Sequence, residues 1–414
     1  MALIVVSGAI ANKLHQGGSA WVRLSYLLGL RRLGHRVHFV EQIAPQACVA
    51  HAFQFAGDSG CVGSSLEESR QAARSAQKTP RHTISVEDSA NRAYFDHVMR
   101  GFDLSEESTL IPTDASGQAE IPGWLSDLAD SATLLLNISG HLTLETLLRR
   151  FRRRVFIDLD PGFTQIWHAS GNAAARLVGH NDYYTIAENI GRTGCGVPLA
   201  GIQWQTTRPP VVLDEWPVLP RPKLIRFTTV AHWRGPYGPL EFNGHTFGLK
   251  VHEFRRMLPL PQHVPAEFEM ALDIDEADGK DLAALHANGW RIADPHESAG
   301  TPERFRQYVQ RSGAEFSVAQ GMYVQSRGGW FSDRTTRYLA SGRPALVQDT
   351  GFSEHLPHQR GLVAFQTLED AVEKAEGIVD NYNAHAKAAR AVAEEFFDSD
   401  VVLGRLLKEL RVEA

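Results

Sequence analysis

Cysteine is scarce in this chain: Cys48, Cys61 and Cys195 are the only three in 414 residues, and their spacing matches no metal-ligand pattern. No disulfide framework or cysteine zinc site follows, and a reducing cytoplasm is the expected compartment. Long apolar runs are missing too. No uninterrupted stretch approaches the ~18 residues that a membrane-spanning helix needs, so no transmembrane segment is expected. The apolar start Ala2 to Val6 is too short for a secretion signal and has no basic residues before it. Nor is there a surplus of positive charge. The 42 Lys+Arg against 48 Asp+Glu give a formal net charge of -6, which argues against a general nucleic-acid-binding surface. One local basic run, Arg149 to Arg154 around Phe151, reads as a solvated helix end. No GxGxxG follows the first apolar run, which makes a nicotinamide oxidoreductase the weakest class.

What remains is an ordinary globular composition, 43% hydrophobic and 22% charged, in a chain too long for one core. The pattern is α/β. Leu3 to Ser7 reads as a buried strand, Gly8 to Ser19 as a loop, Trp21 to Leu33 as a helix closed by Gly34, and Val37 to Val40 as the next strand. Residues from Gln42 to Ile121 are the least legible: Gly57 to Thr83 suggests loops or a mobile insertion, and Val86 to Gly101 a helix. Strands follow at Ala132 to Ile138, Val155 to Leu159 and Tyr183 to Ala187, with a helix over Leu142 to Phe151. Gly194 to Pro222, rich in Gly, Pro and Thr, is the interdomain linker. A second series of strands and helices begins at Ile225, and Leu368 to Leu410 is mostly helical.

The stretch from Glu315 to Pro357 carries the strongest functional signal. A short strand leads through Gly328-Gly329 to Ser332, an N-cap for a helix from Asp333 to Ser341, and Gly342 and Pro344 stop that helix before a buried strand that runs into Asp349-Thr350-Gly351-Phe352. At the carboxyl end of a parallel sheet, a helix N-terminus presents free N–H groups to an anion. Ser332 and the backbone N–H groups of Asp333 and Arg334 are therefore candidates for holding the diphosphate of a sugar nucleotide.

Phe331-Ser332-Asp333 followed by Tyr338-Leu339-Ala340-Ser341-Gly342-Arg343-Pro344 resembles the donor-binding signature of bacterial GT-B-fold glycosyltransferases, both the large retaining group and its spore-maturation-like relatives. Weaker similarity extends over most of the chain. The resemblance implies two Rossmann-like doubly wound domains facing a cleft. Residues 1–215 would hold the acceptor and 216–390 the donor, a UDP-, GDP- or dTDP-sugar, while a terminal helix over 391–414 crosses back to the first domain. No separate cofactor is implied, and the acceptor is a small molecule, a glycan or a macromolecule. It further implies that Arg234 and Lys250 face the phosphates, that Asp349, Thr350, Gly351 and Phe352 lie by the sugar and Asp294 by the base, and that the loop with His15, Gly17 and Gly18 faces the cleft. The retaining group carries two glutamates that fall here near Gly329 and on Arg337, neither of them acidic.

Candidate bases are Asp158 and Asp160 at a strand end, His15, and His141, histidine having a suitable ordinary pKa. Asp158-Leu159-Asp160 also matches the DxD metal motif of another glycosyltransferase class, a frequent chance match, and no metal is expected. Glu188 and Asn189 either contact a substrate or cap a turn. A sugar-nucleotide epimerase of the same fold and a non-catalytic sugar-nucleotide-binding protein are the rival readings.

Overall fold

A computed structural model describes residues 1–50 and 84–412. The region from Gly57 to Thr83 lies outside the described residues. Seven parallel strands form the first sheet: β1 (Leu3–Ser7), β2 (Arg36–Ile43), β3 (Ser108–Pro112), β4 (Leu134–Ile138), β5 (Arg154–Asp158), β6 (Asp182–Thr185) and β7 (Trp204–Thr206), in the order β3-β2-β1-β4-β5-β6-β7. The Leu-Ile-Val-Val run of β1 is almost wholly buried because helices cover both faces of a parallel sheet. Its neighbours on either side are apolar too, with Ile4 opposite Val37 and Leu134.

The second sheet repeats the plan. Its strands are β8 (Arg226–His232), β11 (Glu267–Asp273), β12 (Trp290–Ala293), β13 (Ala314–Ser317), β14 (Ala345–Gln348), β15 (Gln359–Arg360) and β16 (Leu362–Phe365), ordered β12-β11-β8-β13-β14-β16-β15, with only β15 antiparallel. In each sheet the chain reverses its winding direction beside the first strand, between β1 and β4 and between β8 and β13. Ligand crevices open at such switch points, at the carboxyl ends of the strands.

Several boundaries differ from the sequence reading. The first helix spans Gly17–Arg32, so Gly17 and Gly18 belong to its first turn and not to a loop. The helix expected over Leu142 to Phe151 shrinks to Glu145–Leu148. The Gly/Pro-rich linker contains β7, a hairpin of β9 (Leu240–Phe242) and β10 (His245–Phe247) follows β8, and an unforeseen helix covers Gly321–Ser326. Strand β3 emerges from the least legible region. These elements are short, and their pairing partners are distant in sequence, so periodicity gave little to read.

The two sheets share apolar packing. Trp21 meets Trp216 at 4.9 Å and Phe102 at 5.1 Å between ring centroids, and its indole donates to Pro302 O at 2.8 Å. The chain ends in helices Leu368–Asp380, Tyr382–Phe396 and Ser399–Glu409. The last of these packs on Gly17–Arg32, and mutual bonds between Val211 and the Phe397–Ser399 turn tie its start to the first half. Gly29 permits this contact: a Cβ there would lie 2.6 Å from Leu403 Cδ1 and 2.8 Å from Ser399 Cβ. No helix among the described residues is long and apolar enough to cross a membrane. Replacing Gly29 by Leu is expected to lower stability by about 1–3 kcal/mol through overpacking, read as a reduced denaturation midpoint; an unchanged midpoint would show that the terminal helix does not press on this face.

Candidate active site

The loop after β1 is shaped by a carboxylate. Glu41 on β2 is buried and accepts from the backbone N–H groups of Ile10 (2.8 Å), Ala11 (2.9 Å) and Asn12 (2.8 Å), and from Asn12 Nδ2 (2.8 Å). Burial raises its pKa and the four hydrogen bonds oppose that shift. The loop so fixed presents half-buried Lys13, whose pKa is lowered by burial and by neighbouring Arg23 and Arg176. Arg23, in the first crossover helix, lies along Gly8, where a Cβ would come within 2.8 Å of its Cγ; it is 5% exposed, and its Nη1 donates to Ser19 O and Oγ. Arg176 Nη1 stands 3.2 Å from His141 Nδ1. Burial first, then Arg23, Arg176 and Lys13, hold the His141 pKa well below its usual value, so this histidine is neutral at pH 7.

The carboxylates after β5 have separate fates. Asp158 is buried and accepts from Thr164 Oγ1, Gln165 Nε2 and Thr185 Oγ1, each at 2.7 Å, and from Asp160 N at 3.1 Å. Burial pushes its pKa up to about 6. Each oxygen thus accepts two bonds in holding the strand end, which leaves no open acceptor position for a substrate, whereas each oxygen of Asp160 accepts one. Asp160 instead accepts from two phenols of the second half, Tyr323 at 3.0 Å and Tyr237 at 3.2 Å, and burial raises its pKa. Aromatic rings wall this carboxylate: Trp330 stacks on Tyr323 at 4.2 Å, and Phe163 and Trp167 meet Tyr237 at 4.7 and 4.9 Å.

Across the seam stands the Asp333–Ala340 helix, with Ser332 as its N-cap. Ser332 is 8% exposed and its hydroxyl makes no capping bond, so the serine acts there through its backbone. The Arg334 side chain is fully engaged, with Nε on Glu315 at 2.7 Å, Nη1 on Val230 O at 2.9 Å and Nη2 on Ser317 Oγ. The guanidinium is therefore engaged within the protein. Lys250 begins the Lys250–Arg256 helix, where a cation opposes the helix dipole. It lies half-buried over Phe254, with its pKa pushed down to about 7 by burial and by Arg334.

Several of the other candidates are engaged by protein partners. Arg234 forms two bonds to Asp278, at 2.6 and 2.8 Å, beside Asp275 and Asp281. The oxygens of Asp349 accept from Gly351 N, Ser353 N and Ser353 Oγ, the Thr350 hydroxyl donates to Trp330 O, and Phe352 is buried against Phe331. These side chains hold their own loop together. Gly351 is covered by Asn189, whose Nδ2 donates to Gly351 O at 3.1 Å and Arg327 O at 3.0 Å. Asn189 thus latches the two halves, while Glu188 pairs with Arg208 at 2.9 Å. Asp294 caps the short helix Pro295–Ala299 through His296 N and Glu297 N. His15 faces Tyr94 and His296, and its pKa falls to about 4, chiefly by burial. Gly17 packs on the chain at Thr301, where a Cβ would lie 2.0 Å from the carbonyl oxygen, and Gly18 packs on Phe305. Gly17 is needed for that approach.

No family model matches the chain, and no curated protein sequence matches it. Solved structures do. An alpha-glucosyltransferase in complex with UDP and a 13-mer DNA aligns over 99% of this chain and 100% of its own, with 11% identity and a TM-score of 0.58. HepE of Anabaena with UDP-glucose covers 100% of both chains, with 11% identity and a TM-score of 0.56. AviGT4, a glycosyltransferase of avilamycin A biosynthesis, covers 99% and 97%, with 10% identity and a TM-score of 0.53. The fold is GT-B.

Within this GT-B seam Lys13, Arg23, His141, Asp160 and Arg176 of the first half lie beside Tyr237, Tyr323 and the start of the Asp333 helix in the second, while Lys250 lies by Arg334 and Glu315. Asp160, His141 and the helix had been named from the sequence. Lys13, Arg23, Arg176 and the two tyrosines were not, although an arginine inside the apolar run Trp21 to Leu30 was a visible anomaly. Arg337, at a position where the resembled enzymes carry glutamate, turns back onto the Asp333 carboxylate at 2.6 Å. Among the described residues no group of three His, Cys, Asp or Glu could hold a metal ion. A cavity of about 270 Å³ between β8, β11 and the Pro302–Arg311 helix shares none of the seam residues.

Because the folded pKa of Lys250 lies below its unfolded value, the cost of its charge is full below pH 7 and disappears as pH rises through about 7 toward 10. Lys250→Met is therefore expected to stabilise the protein most near pH 6, with the gain fading by pH 10. Denaturant titrations across that range that show a constant difference would remove burial as the cause.

Proposed function

We propose that the chain is a glycosyltransferase that moves a sugar from a nucleoside diphosphate to an acceptor hydroxyl at the seam, with residues 1–215 binding the acceptor and 216–390 the donor. The observation that carries this reading is the approach of the Asp160 loop to the segment that leads into the Asp333–Ala340 helix, Trp330 Nε1 donating to Leu159 O at 3.3 Å, between two Rossmann-like sheets. The diphosphate would lie against the N–H groups of the Asp333–Ala340 helix and Lys250, with Arg23 in front. As the bond from C1 to the diphosphate breaks, the charge that develops on the leaving oxygen falls on these donors, which are already oriented. Asp160 accepts the proton of the attacking hydroxyl, and its raised pKa makes it a stronger base than an exposed carboxylate. His141 and His15 are second choices, since burial and cationic neighbours oppose their protonation. Because the cations and helix N–H groups take up the leaving charge, no metal is required.

Several of the similar structures hold UDP or UDP-glucose, which makes UDP the first ligand to test. UDP, GDP, dTDP and ADP should be compared by thermal shift; at least one is expected to raise the melting temperature by mass action, and the rise should shrink in Lys250→Ala. A flat response to all four would sink the donor assignment. Asp160→Asn is expected to keep the nucleotide shift and lose about 10²–10⁴-fold in turnover, measured as nucleoside diphosphate release. Turnover that survives both this change and removal of divalent metal by EDTA would leave the metal prediction standing and refute Asp160 as the base.

A further inference from the structure

Asp160 is oriented by the opposite half of the molecule. Its neighbour Asp158 is held within the first half, by Thr164, Gln165 and Thr185. The Asp160 side chain accepts instead from Tyr323 on Oδ1 at 3.0 Å and from Tyr237 on Oδ2 at 3.2 Å, and among the described residues it accepts no other hydrogen bond. One phenol on each oxygen fixes the plane of the carboxylate and leaves each oxygen a lone pair for a further partner.

The two phenols come from the rims of one crevice. Tyr237 lies in the loop after β8 and Tyr323 in the Gly321–Ser326 helix after β13, and these two strands pair at the switch point of the second sheet. Packing aims both rings. Trp330 stacks on Tyr323 at 4.2 Å with 8° between the planes, and Phe163 of the first half meets Tyr237 at 4.7 Å and Tyr323 at 6.0 Å. Gln320 Nε2 donates to Tyr237 O at 3.3 Å, which joins the two segments. Burial, and after it the charge of Asp160, raise the pKa of both phenols, so each is a donor at neutral pH. The other charged groups that bear on Asp160 are Lys13, Arg23 and Asp158, all of the first half. Apolar contact alone would hold the halves together without bringing a charge into the seam. What the phenols add is a fixed direction for one carboxylate and support for its ionised form against burial.

We propose that Tyr237 and Tyr323 are positioning residues for glycosyl transfer: from the rims of the donor crevice they reach across the seam and aim the Asp160 carboxylate at the acceptor hydroxyl, so that the base is set by the half that binds the donor. This rests on the reading of Asp160 as base and adds what orients it. Both tyrosines act through Asp160.

Tyr237→Phe and Tyr323→Phe keep the rings and remove the donors. Phenol donation favours ionised Asp160, so its loss raises the folded pKa of that group further. The resulting destabilisation is absent where Asp160 is protonated and grows as pH rises through its folded pKa. Denaturant titrations of the full chain from about pH 4 to about pH 8 are expected to show this growth, reaching about tenfold in the folding constant for each variant. No growth is expected in an Asp160→Asn background, nor in Trp167→Phe, which lies in the same aromatic wall without a hydrogen bond to Asp160 among the described residues. In turnover, read as UDP release from UDP-glucose in water, the fall of kcat/KM at low pH should move up by about one pH unit in each variant. A stability loss that does not vary with pH, equal growth in the Asp160→Asn background or in Trp167→Phe, or a low-pH fall that stays in place in both variants overturns the proposal. Full turnover in Asp160→Asn would instead refute the base assignment, and the stability titrations, which need no substrate, would still decide whether the phenols hold the ionised carboxylate.

Discussion

The organising constraint in this molecule is the cost of removing ions from water where two sheets meet. Each ion costs several kcal/mol to bury unless hydrogen bonds and opposite charges replace its hydration. Glu41 meets that requirement with three backbone N–H groups and an amide, and in doing so fixes the loop that carries Lys13. Glu315 meets it with Arg334, Asp158 with two hydroxyls and an amide, and Asp333 with Arg337. These groups build the framework. The groups left incompletely matched, Lys13, Arg23, Arg176 and Asp160, lie near one another at the seam, and that contrast is the reason the proposed chemistry is put there. Perturbed groups of this kind gather at functional sites, as they also do in structural ion-pair networks.

Close contact between the halves gives the seam its dry character. Gly17 lies on the chain at Thr301, Gly162 on Met322, and Gly351 under Asn189, each too close for a Cβ. Trp330 donates to Leu159 O across the same gap. Low polarity around a carboxylate both raises its pKa and strengthens its attraction to nearby cations. Packing between the domains therefore bears on the electrostatics of Asp160 as directly as its hydrogen-bond partners do. Two phenols donating to one carboxylate also fix its orientation, which an exposed loop aspartate would lack.

Much of the architecture was legible because it depends on local pattern. The buried runs of β1, β4 and β5, the capped helix after Ser332 and the stop at Gly342 can each be read from a few adjacent residues, and the parallel sheet follows from their alternation. Short elements such as β3, β7 and the Gly321–Ser326 helix were not legible, since their stability comes from neighbours far along the chain. The contacts made by Gly17, Gly18, Asp349 and Arg234 were not legible for a related reason. Their residue types suit a ligand loop and a packed turn equally well, and only the contacts with Thr301, Phe305, Ser353 and Asp278 separate the two.

By itself the sequence determined the α/β class, two windings of it, and a helix start able to attract an anion, because periodicity and capping are local properties. Which charged groups meet was decided only by the tertiary structure. Lys13, Arg23, Asp160, Arg176, Tyr237 and Tyr323 are scattered over more than three hundred positions, and nothing in their spacing brings them together. Their pKa shifts arise from burial and from through-space fields, quantities that exist only once the two sheets close on one another.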